Sequence, residues 1–359
     1  DDRWRFLATR ASARARRAAR SDGQRDEWEQ AEREAAAALE SGPELSAPAA
    51  GESATSDQQE FARLHYVRAA ALESLTGTER TPAAAKLLDD AGQAAAKAIA
   101  FDADDIRYPL IAARILLRRT GTVPSAQAAA MQQQADGLIA RAIALDGNSA
   151  EAHNLHAELL LVQGKIVAAR TAFEKAADLA EQDTTKRNVF PYALNLAYAY
   201  LRAPADNTKA LAAADRAVVA AKSDPAGHFA RGLALRNLKR VSDAIAAFDT
   251  ALAAQPKHVG SLLAKSQLIL EMPNATAAEI AEANKDIEAA FAAATDDQKP
   301  EAHYVRSLSR LRTHLSNVTQ PAVAEPALLE AQRDLVQAVK LMPTNTIYTN
   351  AATELFTYA

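Results

Sequence analysis

One arrangement of small and apolar positions recurs along the chain: an alanine, a packing residue four positions later, and a second alanine after three more. The clearest copy is Ala244–Phe248–Ala251. Offsets of four and seven place all three residues on one face of a helix. Alanine at both ends indicates that another helix backbone approaches this face closely, because a larger side chain would push it away. The other copies are Ala31–Ala35–Ala38, Ala91–Ala95–Ala98, Ala135–Ile139–Ala142, Ala169–Phe173–Ala176, Ala210–Ala214–Ala217, Ala283–Ile287–Ala290 and Ala331–Leu335–Ala338.

Most of these helices are predicted to follow another helix, so that the chain forms a series of helical hairpins. The preceding helix has a small residue at a fixed place, as in Gly232 after His228. From Ala142 to Ala176 is 34 residues, a period typical of repeat proteins. The predicted pairs are 57–76 with 82–101, 105–119 with 124–146, 149–163 with 166–180, 189–202 with 207–222, 225–238 with 241–254, 258–271 with 276–294, and 301–316 with 324–342.

The pattern divides the chain into four regions. Residues 1–40 are predicted to form a divergent N-terminal helical hairpin. Residues 41–56 are predicted to be a flexible linker, because their glycine, proline and serine residues favour neither helix nor strand. The solenoid of hairpins follows over 57–345. A helix within 346–359 is expected to cap it, as open solenoids require.

The 34-residue unit resembles the tetratricopeptide repeat (TPR). The clearest copy spans 225–256 and has Gly232, Ala244, Phe248, Ala251 and Pro256 at the signature positions of the family. A second copy spans 150–180, with its signature residues at Ala157, Gly164, Ala169, Phe173 and Ala176. The resemblance implies an all-α fold, in which about eight TPR-like hairpins form a superhelical solenoid with a C-terminal capping helix.

Composition excludes several classes of protein. The 359 residues contain no cysteine, which excludes disulfides, thiolate metal sites and cysteine nucleophiles. The formal net charge of −4 gives no overall attraction to nucleic acid, and we expect none to be bound. No apolar run is long enough for a transmembrane helix, so no transmembrane segment is expected in this chain.

Catalytic signatures are absent from the sequence. It contains no Walker loop, no G-x-S-x-G elbow and no H-E-x-x-H motif. His153, His156 and Glu158 have metal-ligand spacing, but Glu158 would point to a different side of the helix from His153. We therefore interpret His153 as a packing residue. The sequence predicts that the protein is not an enzyme and uses no cofactor and no metal.

The first helix contains an unusual number of arginines beside an apolar stripe. One interpretation is a docking helix for acidic lipid, phosphate or nucleic acid. The other interpretation is that the arginines pair with the following segment, which is strongly acidic. We favour this interpretation, because an antiparallel hairpin would bring the two segments together. The arginines are Arg3, Arg5, Arg10, Arg14, Arg16, Arg17 and Arg20, and the acidic residues are Asp26, Glu27, Glu29, Glu32, Glu34 and Glu40.

The resemblance also implies a binding surface, because the first helix of each repeat in this family lines a concave groove. Its apolar side chains would contact side chains of an extended peptide, and its amides would bond the peptide backbone. Several of the leucines could instead pack between helices. The positions carried over are Asn154, Leu155 and Glu158 in the fourth hairpin, Leu194, Asn195, Tyr198 and Arg202 in the fifth, and Phe229, Leu233, Arg236 and Asn237 in the sixth.

Some members of the family hold the C-terminal carboxylate of chaperones with lysine and asparagine. Here Glu158 stands at one of those positions and the cations are missing, so such a clamp is not expected. The predicted function is a non-catalytic scaffold that binds a protein or peptide in its groove. The alternative is a non-catalytic repeat domain or architectural subunit of a larger enzyme or cell-envelope assembly.

The cellular compartment stays open. The first residue is Asp1 and not methionine, so we expect the chain to have been trimmed, processed or excised from something longer, with any leader or anchor removed upstream. The abundance of alanine is typical of bacterial proteins from GC-rich genomes. Bacterial cytoplasm and the periplasm or cell envelope are both compatible with the sequence.

Overall fold

The computed structural model describes residues 3–19, 25–77 and 81–358, and within these ranges it contains seventeen helices and no strand. The helices of the first half are α1 (Arg3–Ala18), α2 (Arg25–Ser41), α3 (Ser56–Leu75), α4 (Pro82–Phe101), α5 (Arg107–Thr120), α6 (Ser125–Leu145), α7 (Ala150–Val162) and α8 (Ile166–Gln182). Those of the second half are α9 (Val189–Leu201), α10 (Asn207–Ala220), α11 (Pro225–Asn237), α12 (Val241–Ala254), α13 (Val259–Glu271), α14 (Ala277–Ala293), α15 (Lys299–Ser316), α16 (Pro321–Leu341) and α17 (Thr346–Tyr358).

Each odd-numbered helix from α1 to α15 packs against the helix that follows it, and α17 packs against α16. The helices form two compact units. Unit 1 is Asp1–Thr185 and contains α1–α8, whereas unit 2 is Lys186–Ala359 and contains α9–α17. The predicted all-α series of eight hairpins and a terminal helix is confirmed.

Close helix packing explains the recurring alanines. All sixteen alanines that begin or end the eight copies of the pattern are 0% exposed. The middle positions are buried as well, and Phe173, Phe248 and Ile287 are among the largest fully buried side chains. Small residues at the two ends therefore allow the paired helices to approach, and the middle residue fills the space between them.

Two glycines of the repeat have separate structural reasons. A Cβ atom on Gly232 would lie 2.4 Å from the ring of Phe248, so only glycine leaves room for this ring beside α11. Gly164 has a φ of +74° in the turn between α7 and α8, a conformation that glycine adopts without steric cost. Gly232 is required because the Phe248 ring lies close to it, and Gly164 suits its position because the turn has a positive φ.

The first hairpin contacts the rest of unit 1, since α1 and α2 both pack against α3. The ring of Trp4 lies 5.4 Å from that of Phe61, centroid to centroid. The irregular segment between α2 and α3 makes contacts of its own: Leu45 packs against the same core, and the Gln58 side chain donates to the Ser46 carbonyl at 2.8 Å. The flexibility of residues 41–56 stays a prediction.

Several arginines of α1 pair with α2, as the second interpretation of the basic helix expects. Arg10 and Arg14 lie 2.7 and 2.9 Å from a carboxylate oxygen of Glu34, and Arg17 lies 3.5 Å from Glu27. Glu34 is buried, so its pairs with Arg10 and Arg14 link the two helices at a carboxylate that is shielded from water, whereas Arg17 is mostly exposed.

A buried histidine gives unit 1 a pH-dependent stability. His65 stacks on Phe101 at 5.8 Å, and its buried Nδ1 has no hydrogen-bond partner among the described residues. Burial, with smaller contributions from Lys97 and Arg68, lowers the pKa of His65 to about 4. The unfolded chain therefore takes up a proton at a higher pH than the folded one does.

We expect the parent to lose up to about 3 kcal/mol as the pH falls from 6.5 towards 4, because protonation of His65 favours the unfolded state. His65→Gln should remove this part of the pH dependence. Chemical denaturation of both proteins at several pH values measures it. Equal slopes for parent and variant over this interval would contradict the assignment.

Candidate functional site

The first helices of the hairpins in unit 2 lie side by side. Helix α9 contacts α11, α11 contacts α13, and α13 contacts α15. On α9, Ala193, Leu196 and Ala197 are buried, while Leu194 and Tyr198 on another face are only half-buried. The pattern follows from the 3.6-residue period, which turns positions four apart to the same side.

The predicted residues of α9 differ in their exposure. Asn195 is half-buried beside Leu194, and Arg202 is exposed where the helix ends. Burial raises the pKa of the Tyr198 phenol, and the carboxylate of Asp224 at the start of α11 raises it further. Tyr198 is therefore a neutral phenol at physiological pH, with part of its ring accessible to a ligand.

On α11, most of the surface of the predicted residue Phe229 is in contact with neighbouring side chains. The ring of Phe229 lies 5.2 Å from that of His258 and 6.0 Å from that of Phe248. It also covers Gly260, where a Cβ atom would lie 2.9 Å from the Phe229 ring. Phe229 therefore joins three consecutive helices, α11, α12 and α13, and only part of it is open.

The other predicted residues of α11 are more accessible. Leu233 and Arg236 are half-buried, and Asn237 is exposed. The Asn237 amide donates to the Asn207 side-chain oxygen at 3.1 Å, which ties the end of α11 to the start of α10. Leu233 also packs partly against the core that surrounds Phe248.

The three predicted residues of the fourth hairpin lie on α7 and belong to unit 1. Leu155 is buried in a core with residues of α5 and α6, so the packing alternative applies to it. Asn154 is buried too, and its amide donates to Glu158 at 2.7 Å. Burial raises the pKa of Glu158, and this hydrogen bond partly offsets the shift.

The structure adds residues of α15 and α17 that we did not select from the sequence. Burial raises the pKa of Glu301, and the guanidinium of Arg236 partly lowers it. Glu301 lies in the first turn of α15 and is exposed to solvent. Burial, together with Glu301 and Tyr304, raises the pKa of Tyr348 to about 12. Extending the register of the groove positions to the eighth hairpin would have selected Tyr304 and Leu308, and not Glu301.

Helix α13 stands between the helices that carry Arg236 and Glu301. The surface formed by these neighbouring helices carries the predicted residues of α9 and α11, and Arg236 on it is near enough to Glu301 to lower the pKa of that carboxyl. We call this surface the α9–α15 face. Its main members are Leu194, Asn195, Tyr198, Leu233, Arg236, Asn237 and Glu301.

The side chains here are suited to non-covalent binding. They offer a phenol, amides, a guanidinium and a carboxylate beside aliphatic surface. His153, the candidate ligand on α7, instead has its Nε2 3.1 Å from the carbonyl oxygen of Gly147. Within the ranges that the structure describes, no three histidine or acidic side chains are placed to hold a metal ion.

None of the helices in the described part of the chain is both long and apolar enough to cross a bilayer.

Solved structures of repeat proteins resemble this fold. A tetratricopeptide repeat protein from Parabacteroides merdae matches with a TM-score of 0.53 and 12% identity, over 76% of this chain and 93% of that one. Yeast Tom70 matches with a TM-score of 0.50 and 16% identity, over 94% of this chain and 59% of that one. At such identities the likeness concerns the fold alone.

No protein-family model and no curated protein matches the sequence. The fold is nevertheless settled by the helical hairpins, by the buried alanines of the recurring pattern, and by the structural matches. This chain therefore has the fold of the tetratricopeptide-repeat proteins, an all-α solenoid of helical hairpins.

Proposed function

We propose that this chain is a non-catalytic scaffold that binds a protein or an extended peptide segment on the α9–α15 face. The observation that carries the proposal is the side-by-side packing of α9, α11, α13 and α15, whose half-buried side chains include Tyr198, Leu233 and Arg236. Repeat solenoids commonly use extended surfaces of this kind for binding.

The composition of this face supports a peptide as its ligand. Tyr198 combines a half-buried ring with a hydroxyl group, a combination enriched at binding hot spots. Amides such as Asn195 and Asn237 can donate to and accept from a peptide backbone. Arg236 and Glu301 would select opposite charges at two points along the segment, which gives the ligand a direction.

We expect Tyr198→Ala to weaken binding by about 1–3 kcal/mol, roughly 5- to 150-fold in Kd, because a hot-spot ring loses its buried contact area. Ligands would be obtained from a random twelve-residue display library selected on the full chain. The Kd of the best peptide would be measured by isothermal titration calorimetry.

The matched control is Val219→Ala on α10, where the side chain is 75% exposed. Both variants must keep the melting temperature of the parent, so that a loss of affinity reports binding and not unfolding. If Tyr198→Ala and Arg236→Gln both leave the Kd unchanged, the ligand does not bind on the α9–α15 face.

A second candidate function is an architectural subunit that joins a larger assembly. It is favoured by the exposed apolar side chains near the C-terminal end of unit 2, among which Val318 and Ile347 are 57% and 61% exposed. Phe356 on α17 is exposed as well. Native mass spectrometry tests this role, and a monomer unaffected by Ile347→Glu would argue against association of the chain with itself through this end.

A further inference from the structure

A cavity of about 410 Å³ lies in unit 1, between the end of α1, the start of α2 and the middle of α3. Its wall is mainly apolar and includes the rings of Trp28 and Tyr66 with the side chain of Val67. This volume is within the usual range of ligand pockets. We call it the N-terminal cavity.

Three arginines also line the N-terminal cavity, and they differ in their partners. Arg63 lies 2.8 Å from a carboxylate oxygen of Glu60. The Nε atom of Arg107 donates to Asp105 at 2.9 Å. Among the described residues, the Arg16 guanidinium makes one hydrogen bond, to a backbone carbonyl at 3.2 Å, and no ion pair. Within the part of the chain that the structure describes, one positive charge of the cavity is thus left without a carboxylate.

Two more groups of the cavity have no partner among the described residues. The Oγ atom of Ser12 is buried and has no hydrogen-bond partner among the described residues. The indole of Trp28 is half-buried and makes no hydrogen bond or ring contact with any other described residue. A buried hydroxyl without a partner is unusual in folded proteins, and a ligand would satisfy it.

The cavity continues along α1. A second space of about 360 Å³ shares Ser12, Arg16 and Arg63 with the first and extends to Trp4 and Arg5. Its wall is more polar, and its two carboxylates, Asp57 and Glu60, are already paired with Arg5 and Arg63. Two spaces with shared walls form an elongated site, which suits an extended chain better than a compact molecule.

We propose that the N-terminal cavity binds an acidic peptide segment in which a carboxylate side chain stands next to an aromatic or large aliphatic one. The carboxylate pairs with Arg16 and accepts from the Ser12 hydroxyl, and the apolar side chain contacts Trp28 and Tyr66. Arg16 is the one cation lining the cavity that has no ion pair with a described residue, which matches one carboxylate and not a polyanionic surface such as nucleic acid or an anionic membrane. This proposal rests on the proposed function in one respect: the ligand is a segment of a protein.

The test begins with the same random twelve-residue display library, selected in parallel on the parent and on Arg16→Gln. Arg33→Gln is the matched control, because it removes the same charge from an exposed position on α2, where the arginine pairs with Glu29 at 3.4 Å. We expect the parent and the control to enrich peptides with aspartate or glutamate beside phenylalanine, tryptophan or leucine, and Arg16→Gln to lose this group.

The best acidic peptide is then synthesised, together with a copy in which the acidic residue is replaced by its amide. We expect the amide peptide to bind about 10-fold more weakly to the parent, and Arg16→Gln to bind the acidic peptide about 10-fold more weakly. Because the chain has two tryptophans, Trp4→Phe leaves Trp28 as the only reporter. Its fluorescence should change when the acidic peptide is added.

Several results would overturn the proposal. They are equal enrichment on parent and Arg16→Gln, equal affinity of the acidic and amide peptides, no response of Trp28, or Arg16-dependent binding to phosphatidylserine vesicles without any enriched peptide. Peptides that depend on Tyr198 but not on Arg16 would contradict this site and leave the α9–α15 face supported. Peptides that depend on Arg16 but not on Tyr198 would support binding in the N-terminal cavity and contradict binding on the α9–α15 face.

Discussion

Phe248→Ala is expected to lower the free energy of unfolding of unit 2 by about 3–5 kcal/mol, the usual cost of truncating a fully buried phenylalanine. Phe248 is 0% exposed, and it packs with Leu235 and Leu268 in one core. The same ring occupies the space beside Gly232. Its removal therefore leaves a cavity that involves α11, α12 and α13.

Urea denaturation followed by circular dichroism measures this effect. Hydrogen exchange localises it, because repeat proteins can open in parts. Val219→Ala is the control and should stay within about 0.5 kcal/mol of the parent, since the side chain is exposed. A loss below about 1 kcal/mol for Phe248→Ala would mean that the neighbouring helices close around the missing ring.

The contact between Gly232 and Phe248 provides an independent check by a double-mutant cycle. Gly232→Ala should destabilise the protein, because its Cβ would lie 2.4 Å from the Phe248 ring. In a Phe248→Leu background, Gly232→Ala should cost less, since the smaller side chain leaves room. Additive effects would show that the two positions are not coupled.

Asp334→Ala is expected to cost about 3–5 kcal/mol, because it removes the buried carboxylate that Arg306, Arg310 and His303 share. Asp334 is 3% exposed and accepts two hydrogen bonds from Arg306, at 2.7 and 2.8 Å. Arg310 and His303 contact the same carboxylate. The network joins α15 to α16, so its loss should loosen the last hairpin.

The effect should also depend on pH. Burial by itself would raise the pKa of Asp334, but hydrogen bonds from Arg306 and His303 outweigh it and hold the pKa below the usual 3.8. A carboxylate whose pKa is lowered on folding stabilises the folded state above its unfolded pKa, and this stabilisation is lost as the pH falls. The difference between parent and Asp334→Ala should therefore be full at pH 7 and smaller at pH 3.

The control for Asp334 is Asp243→Ala, which removes an exposed carboxylate paired with Arg240 on the same turn. Surface pairs of this kind contribute about 0–1 kcal/mol, so little change is expected. Urea denaturation at both pH values compares the two variants. Equal losses for Asp334→Ala and Asp243→Ala would contradict a special role for the buried network.

Much of the fold could be predicted from the sequence, because its period and its small residues act locally. Ala244 and Ala251 mark a helix face that another helix must approach, whatever the remaining chain does. The 34-residue period then paired that helix with the preceding one, which carries Gly232, and the structure shows that Gly232 lies against Phe248. The boundaries of α11 and α12 agree with the predicted 225–238 and 241–254 to within one residue.

The candidate surfaces were less predictable, because accessibility depends on neighbours far along the chain. Phe229 has an inward register position, yet the absence of a side chain at Gly260 on α13 allows its ring to pack there. Leu155 has an equivalent position and is buried by α5 and α6. Glu301 was not selected, since nothing local in the sequence relates it to Arg236.

The same distinction applies to the basic first helix. The sequence by itself determined that α1 and α2 carry opposite charges and that hairpin formation would pair many of them. Only the tertiary structure decided that Arg14 pairs with Glu34, whereas Arg16 lines a cavity with Trp28. Positions two apart on a helix point about 200° away from each other, so the rotation of α1 against α2 and α3 selects which arginine is neutralised. That rotation is set by packing between helices. The sequence of one helix by itself does not specify it.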